Sequence, residues 1–181
     1  MLVVTLQARL SVFIGKGEHI VINGKAKGNR FELDVAKMLT EWSGKTFHRT
    51  PQSGALHWDN DKRVVSDIVP PQDLGFPFSI ECKSQEVAWD FDSLITGKST
   101  IWKFWSQCCN DAHSENMEPL LVFSKNYRKI YAMLQRTTYN KLGKTLTNVT
   151  VQSDAWGDVV IIDFKELLDN VTLSEVLDKK F

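Results

Sequence analysis

The chain is poor in the features that mark secreted, disulfide-stapled or membrane-spanning proteins. Its three cysteines, Cys82, Cys108 and Cys109, form neither a CxxC pair nor a metal-ligand spacing, and an odd number makes a poor disulfide framework. They read as reduced, mostly packed thiols of an intracellular protein, cytoplasmic or nucleoid-associated. The longest apolar stretches are strand-sized, well short of the roughly 20 residues that a spanning helix needs. The first residues lack a basic region followed by an uninterrupted apolar stretch, so neither a membrane span nor a secretory leader is expected. An excess of charge is missing too: 22 Lys+Arg stand against 22 Asp+Glu, with a pI near 6.9. Bulk charge therefore neither selects nor rejects a polyanionic partner, because a basic patch can coexist with acidic residues elsewhere. There is no internal repeat and no low-complexity segment. What remains is 181 residues, enough for one domain with a sizeable core.

Periodicity gives the order of elements. Residues 2–14 are rich in Val, Leu, Ile, Thr and Phe, Gly15-Lys16-Gly17 interrupts them, and His19–Ile22 resumes the run, as in a hairpin or paired strands. Asn23–Gly28 reads as a flexible, basic connection. Phe31, Val35, Met38, Leu39 and Trp42 then form a helical stripe that Gly44 stops. Residues 45–62 are loop-like, and Val64–Val69 is a short apolar run closed by Pro70-Pro71. A strand is predicted over 77–83, a helix over Ser99–Asp111, and strands at Leu120–Phe123, Lys129–Leu134 and Asp158–Phe164. One or two short helices follow over Leu167–Leu177, while 136–155 are polar and without a clear period. This order predicts a mixed α/β domain, a central sheet flanked by helices, over residues 25–181, with a β-rich extension at 1–24.

The charged residues inside the apolar strands carry the chemistry. In Phe78-Ser79-Ile80-Glu81-Cys82-Lys83, alternation sends Phe78, Ile80 and Cys82 to one face and Ser79, Glu81 and Lys83 to the other. Alone, Glu81 and Lys83 read as a solvated edge pair. With Asp67 in the preceding run, charge interrupts two strands that burial would otherwise keep apolar. Asp67 and Glu81 on neighbouring strands can bind a divalent cation; Mg²⁺ prefers oxygen ligands, with water and phosphate completing its octahedron. Lys83 then stands where it can orient water or meet charge developing on phosphate, and the set describes phosphodiester hydrolysis. Glu32 admits two readings: the N3 member of a capping box with Asn29, or a contributor to the metal or its waters.

Lys25, Lys27 and Arg30 before the first helix, and Arg49 at the start of a loop, suit DNA backbone phosphates or simply keep the surface soluble. Pro51-Gln52-Ser53-Gly54-Ala55 is a turn in which Ser53 can hydrogen-bond phosphate or a metal-bound water. Ser53 has no signature of an activated nucleophile. His48, His57 and His113 read as ordinary loop or surface residues, and the Trp102, Trp105 and Gln107 region of the second helix as core or dimer packing.

Taken in order, Gly28-Asn29-Arg30-Phe31-Glu32, Pro51-Gln52-Ser53-Gly54-Ala55, Ser66-Asp67 and Ile80-Glu81-Cys82-Lys83 resemble the PD-(D/E)XK nuclease superfamily. Within it they look most like the archaeal-type Holliday junction resolvases and their phage relatives. The likeness covers roughly residues 25–125, with Glu81 placed 14 positions after Asp67. It implies a restriction-endonuclease-like sheet flanked by helices, Asp67 and Glu81 as metal ligands, and the Cys82 backbone carbonyl as another. Glu32 would complete the acidic site, Lys83 would act on water, and Ser53 would assist near the scissile phosphate. It further implies a homodimer that cuts a four-way DNA junction with Mg²⁺, or Mn²⁺ in its place, in the host cytoplasm where the gene is a phage's. Ser66 stands where the family has proline before the strand carboxylate. A restriction-like or repair endonuclease and a noncatalytic DNA-binding module are the competing expectations.

Overall fold

The computed structural model describes residues 24–50, 66–85, 90–125 and 129–181, without the Lys25 and Gln85 side chains. Within them a five-stranded mixed sheet is sandwiched between two groups of helices, as the strand and helix patterns predict. The sheet runs β3 (Phe78–Gln85), β4 (Glu118–Lys125), β5 (Ile130–Gln135), β7 (Gly157–Asp163) and β6 (Asn148–Ser153). β3 and β4 are parallel and every other neighbouring pair is antiparallel. A parallel pair needs a crossover, which α2 (Phe91–Ile95) and α3 (Ile101–Ser114) supply. A small antiparallel pair, β1 (His48–Arg49) and β2 (Ile68–Val69), stands apart from the main sheet.

The apolar patterns explain the layers. β4 lies between two strands with helices on both faces, so Pro119–Ser124 are all buried and the strand reads as a continuous apolar run. Phe78, Ile80, Cys82, Leu120, Val122, Ala132, Leu134, Val160 and Ile162 face one core, shared with Phe31, Val35 and Leu39 of α1 (Gly24–Ser43). The alternate residues Leu121, Phe123, Met133, Val159 and Ile161 face a second core with Ile101, Trp105 and Cys108 of α3. Four helical positions spaced three to four apart, Ile101, Trp105, Cys108 and Ala112, form the buried stripe of α3. On the first face, α4 (Arg136–Leu142), α5 (Phe164–Asn170) and α6 (Leu173–Leu177) complete the cover. The Trp42 indole N–H donates to the Val171 carbonyl at 2.6 Å, tying α1 to the α5–α6 turn.

Several expectations are corrected. Residues 24–28, expected as a flexible connection, are the first turns of α1. Glu32 therefore lies more than two turns into the helix, where the backbone N–H groups already have helical partners, and the capping box with Asn29 does not form. Residues 48–49 form β1 inside a segment expected to be loop. The run expected over 64–69 is strand only at Ile68–Val69 among the described residues, and 136–155 contain α4 and β6. The expected strands before residue 24 and the Ser53 turn lie outside the described residues. No described helix is long and apolar enough to cross a membrane.

Trp105 has no exposed surface and fills the junction of α3 with the sheet. Trp105→Ala is expected to destabilise the fold by about 3–5 kcal/mol, read as a lowered guanidinium midpoint at unchanged slope. A midpoint within error of the parent would remove Trp105 from the core.

Candidate active site

The site is organised by the edge of β3 that faces away from β4. There the Asp67 backbone N–H donates to the Ile80 carbonyl at 3.1 Å, and one carboxylate oxygen of Asp67, Oδ2, accepts the Cys82 N–H at 2.8 Å. Asp67 thus takes the place of a neighbouring strand for the edge-facing backbone groups of Ile80 and Cys82. Its own loop is fixed by Thr50, whose backbone N–H donates to the Asp67 carbonyl at 2.8 Å and whose hydroxyl donates to the Ser66 carbonyl at 2.5 Å. Ser66 is buried and donates its hydroxyl to the Ile68 carbonyl at 2.9 Å, so the residue in the proline's place serves the turn into β2.

Glu81 points to the opposite face from Cys82, toward α3. That face is covered rather than solvated: Ser79 is 3% and Glu81 4% exposed. The edge-pair reading of Glu81 and Lys83 is thereby corrected. Burial and the nearby Asp67 charge push the Glu81 carboxyl up to about 7, against the hydrogen bond and charge of Lys83. Asp111 of α3 adds to the rise. Lys83 Nζ lies 2.5 Å from Glu81 Oε1 and 5.5 Å from the centre of the Phe104 ring. Burial acts against the Lys83 ammonium, yet the bond and charge of Glu81, with Asp67 behind it, raise its pKa. Burial also raises the Asp67 pKa, as does the charge of Glu32, while the Cys82 N–H, Lys83 and a hydrogen bond with Glu81 oppose the rise. Two neighbouring carboxylates, one buried and one half-buried, resist ionising together.

Glu32 is 5% exposed and sits beside this cluster, its Oε2 held by Arg49 Nε at 2.5 Å. Its charge reaches both Asp67 and the Cys82 thiol. Arg49, expected in a loop toward DNA, is a β1 residue whose side chain is 17% exposed and engaged with Glu32. Arg30 is exposed on α1 and Lys27 is half-buried there, whereas the Lys25 side chain and Ser53 lie outside the described residues. The structure thus gathers Glu32, Asp67, Glu81, Lys83 and Arg49. Thr50, Asp111 and Phe104 join them without a sequence signal of their own: a threonine in a loop and an acid in a helix carry no local pattern, and Phe104 merely follows the helical spacing of α3. Among the described residues no group of three or more His, Cys, Asp and Glu is gathered closely enough to hold a metal ion. The three thiols are free. Burial pushes Cys82 and Cys108 well above the ordinary thiol range and Cys109 to about 12, which makes all three poor nucleophiles.

Comparison with known proteins finds relatives among phage proteins. The family described as "Phage putative PDDEXK endonuclease" matches residues 23–178. Protein D14 of Escherichia phage T5 is 31% identical over 113 residues, covering 59% of this chain and 68% of that protein. No solved structure matches.

A carboxyl whose folded pKa is raised binds protons more tightly in the native state, so its contribution to stability is present at low pH and lost as pH rises. For Glu81 that loss is expected from the ordinary carboxylate range up through about 7 in the metal-free protein. Glu81→Gln, which never ionises, should flatten this decline in denaturation curves taken from pH 5 to 8. An identical pH dependence in the two proteins would show that Glu81 is not held in the environment described.

Proposed function

We propose metal-dependent hydrolysis of DNA phosphodiesters by this chain, which belongs to the phage PD-(D/E)XK endonuclease family. The observation that carries the reading is the meeting of Asp67 and Glu81 at the free edge of β3, Asp67 fixed there by the Cys82 N–H at 2.8 Å and Glu81 buried with Lys83 Nζ at 2.5 Å. Such a pair fits a hard divalent cation, because the donors are all oxygen and a cation offsets the burial and like charge that raise the Glu81 pKa. Asp67 and Glu81 would hold Mg²⁺, with Mn²⁺ as a substitute. The N–H and carbonyl of a strand residue share an edge, so the Cys82 carbonyl lies on the Asp67 side, where it would add a third oxygen. When bound, the cation supplies Lewis-acid polarisation of phosphate and an acidified water.

The chain's own groups do the rest. Lys83 brings three N–H donors to the Glu81 side of the site, where it would orient the attacking water and meet charge developing on the phosphoryl oxygens. Glu32 would act on the metal's waters, with Arg49 compensating its charge. Lys25, Lys27 and Arg30 would contact backbone phosphates, and Ser53 would stand near the scissile one. Duplex or branched DNA is the substrate class that family membership favours. The motif order from Glu32 to Lys83 supports a narrower form, a homodimer that resolves four-way junctions.

Asp67→Asn and Glu81→Gln are each expected to abolish Mg²⁺-dependent cutting while DNA binding persists in gel shifts. Matched four-way junction and linear duplex substrates separate the narrower form. Paired, symmetric nicks in the junction support resolution, and duplex cutting alone supports endonuclease activity without it. Undiminished turnover in both variants would defeat the site assignment, and no cutting of any substrate by the parent with Mg²⁺ or Mn²⁺ would leave a noncatalytic DNA-binding module.

A further inference from the structure

We infer that Phe104 is a positioning residue for Lys83, its ring face holding the ammonium in place when Glu81 is engaged elsewhere; this rests on the endonuclease reading of the site. Lys83 Nζ has two described partners of opposite kind. One is Glu81 Oε1 at 2.5 Å, and the other is the ring of Phe104, with 5.5 Å to its centre, within the range over which a cation is attracted to an aromatic face. A Glu81 carboxylate that turns to a divalent cation has less charge to offer Lys83. Phe104 keeps its attraction, because its quadrupole does not depend on the ionisation or ligation of any group.

The kind of residue matters. A second carboxylate in this position would take up an N–H donor and neutralise the ammonium. An aromatic face restrains the same group while leaving its three donors for water and phosphate. The Lys83 side chain is 25% exposed, partly desolvated, which strengthens the attraction relative to a surface pair.

Phe104 is itself held firmly. It is half-buried against the second core, on α3 between the buried turns of Ile101, Trp105 and Cys108. The start of α3 is anchored by the Trp102 indole N–H, which donates to the Leu94 carbonyl at 3.0 Å. A ring fixed by its helix can fix what it touches.

Phe104→Leu keeps an apolar side chain against the core and removes the ring face; Phe104→Tyr keeps the face. Two readouts apply. In the metal-free protein, the Lys83 ε-methylene protons should show an upfield ring-current shift by NMR, lost in the Leu variant and retained in the Tyr variant. In single-turnover cutting at saturating DNA and Mg²⁺, the Leu variant should be slower by about three- to thirtyfold, with DNA affinity unchanged and the rate restored by Tyr. A Leu variant as fast as the parent, an equal loss in Leu and Tyr, or a Lys83 shift indifferent to the ring would overturn the inference. A parent that cuts nothing would instead bring down the endonuclease reading and the catalytic role of the contact with it, while the ring-current shift would still report the contact itself.

Discussion

The hydrogen bond from the Cys82 N–H to the Asp67 carboxylate, 2.8 Å long, is the constraint from which the site follows. β3 borders β4 along one edge, and its other edge would present bare backbone groups. Asp67 occupies that edge with its own N–H on Ile80 and its side chain on Cys82, so the carboxylate position is set by strand register rather than by a free rotamer. Thr50 then fastens the Asp67 loop from β1, and Arg49, one residue earlier, reaches Glu32 on α1. β3, the Asp67 loop, β1 and α1 meet at one strand edge because a single aspartate completes it.

That arrangement concentrates negative charge where water is scarce. Glu32, Asp67 and Glu81 would repel one another there, and the fold answers with one partner for each: Arg49, the Cys82 N–H and Lys83. The compensation is incomplete, since both Asp67 and Glu81 keep raised proton affinity. Removing either cation would leave a buried carboxylate uncompensated, which costs about 3–5 kcal/mol in comparable pairs. Raised proton affinity in this carboxylate pair is a feature on which the proposed cation site rests.

How much of this was legible in the sequence differs by element. β3, β4, β5 and β7 announce themselves as apolar runs because they lie inside the sheet or carry helices on both faces. β6 is an edge strand with Val151 as its single buried residue, so Asn148–Ser153 shows neither a run nor an alternation. The start of α1 was hidden because Lys25, Lys27 and two glycines look like a linker, and the helix continues through Gly28 regardless. Asp67, Glu81 and Lys83 were visible as charge out of place. What sequence could not show is that α3 covers the Glu81 face, which turns an apparent surface pair into a buried one and brings Phe104 to Lys83. Tertiary contacts of that kind join residues twenty or more positions apart and leave no local period.

The claim on which everything else depends is that Asp67 and Glu81 share a divalent cation. Mn²⁺ binding, followed by the loss of the free-ion EPR signal in the absence of DNA, tests it without reference to cutting. The parent is expected to take up Mn²⁺ with an affinity that rises with pH toward about 7, where Glu81 gives up its proton, and Asp67→Asn and Glu81→Gln are each expected to lose that uptake. Equal Mn²⁺ uptake by the parent and both variants, at every pH, would contradict the account.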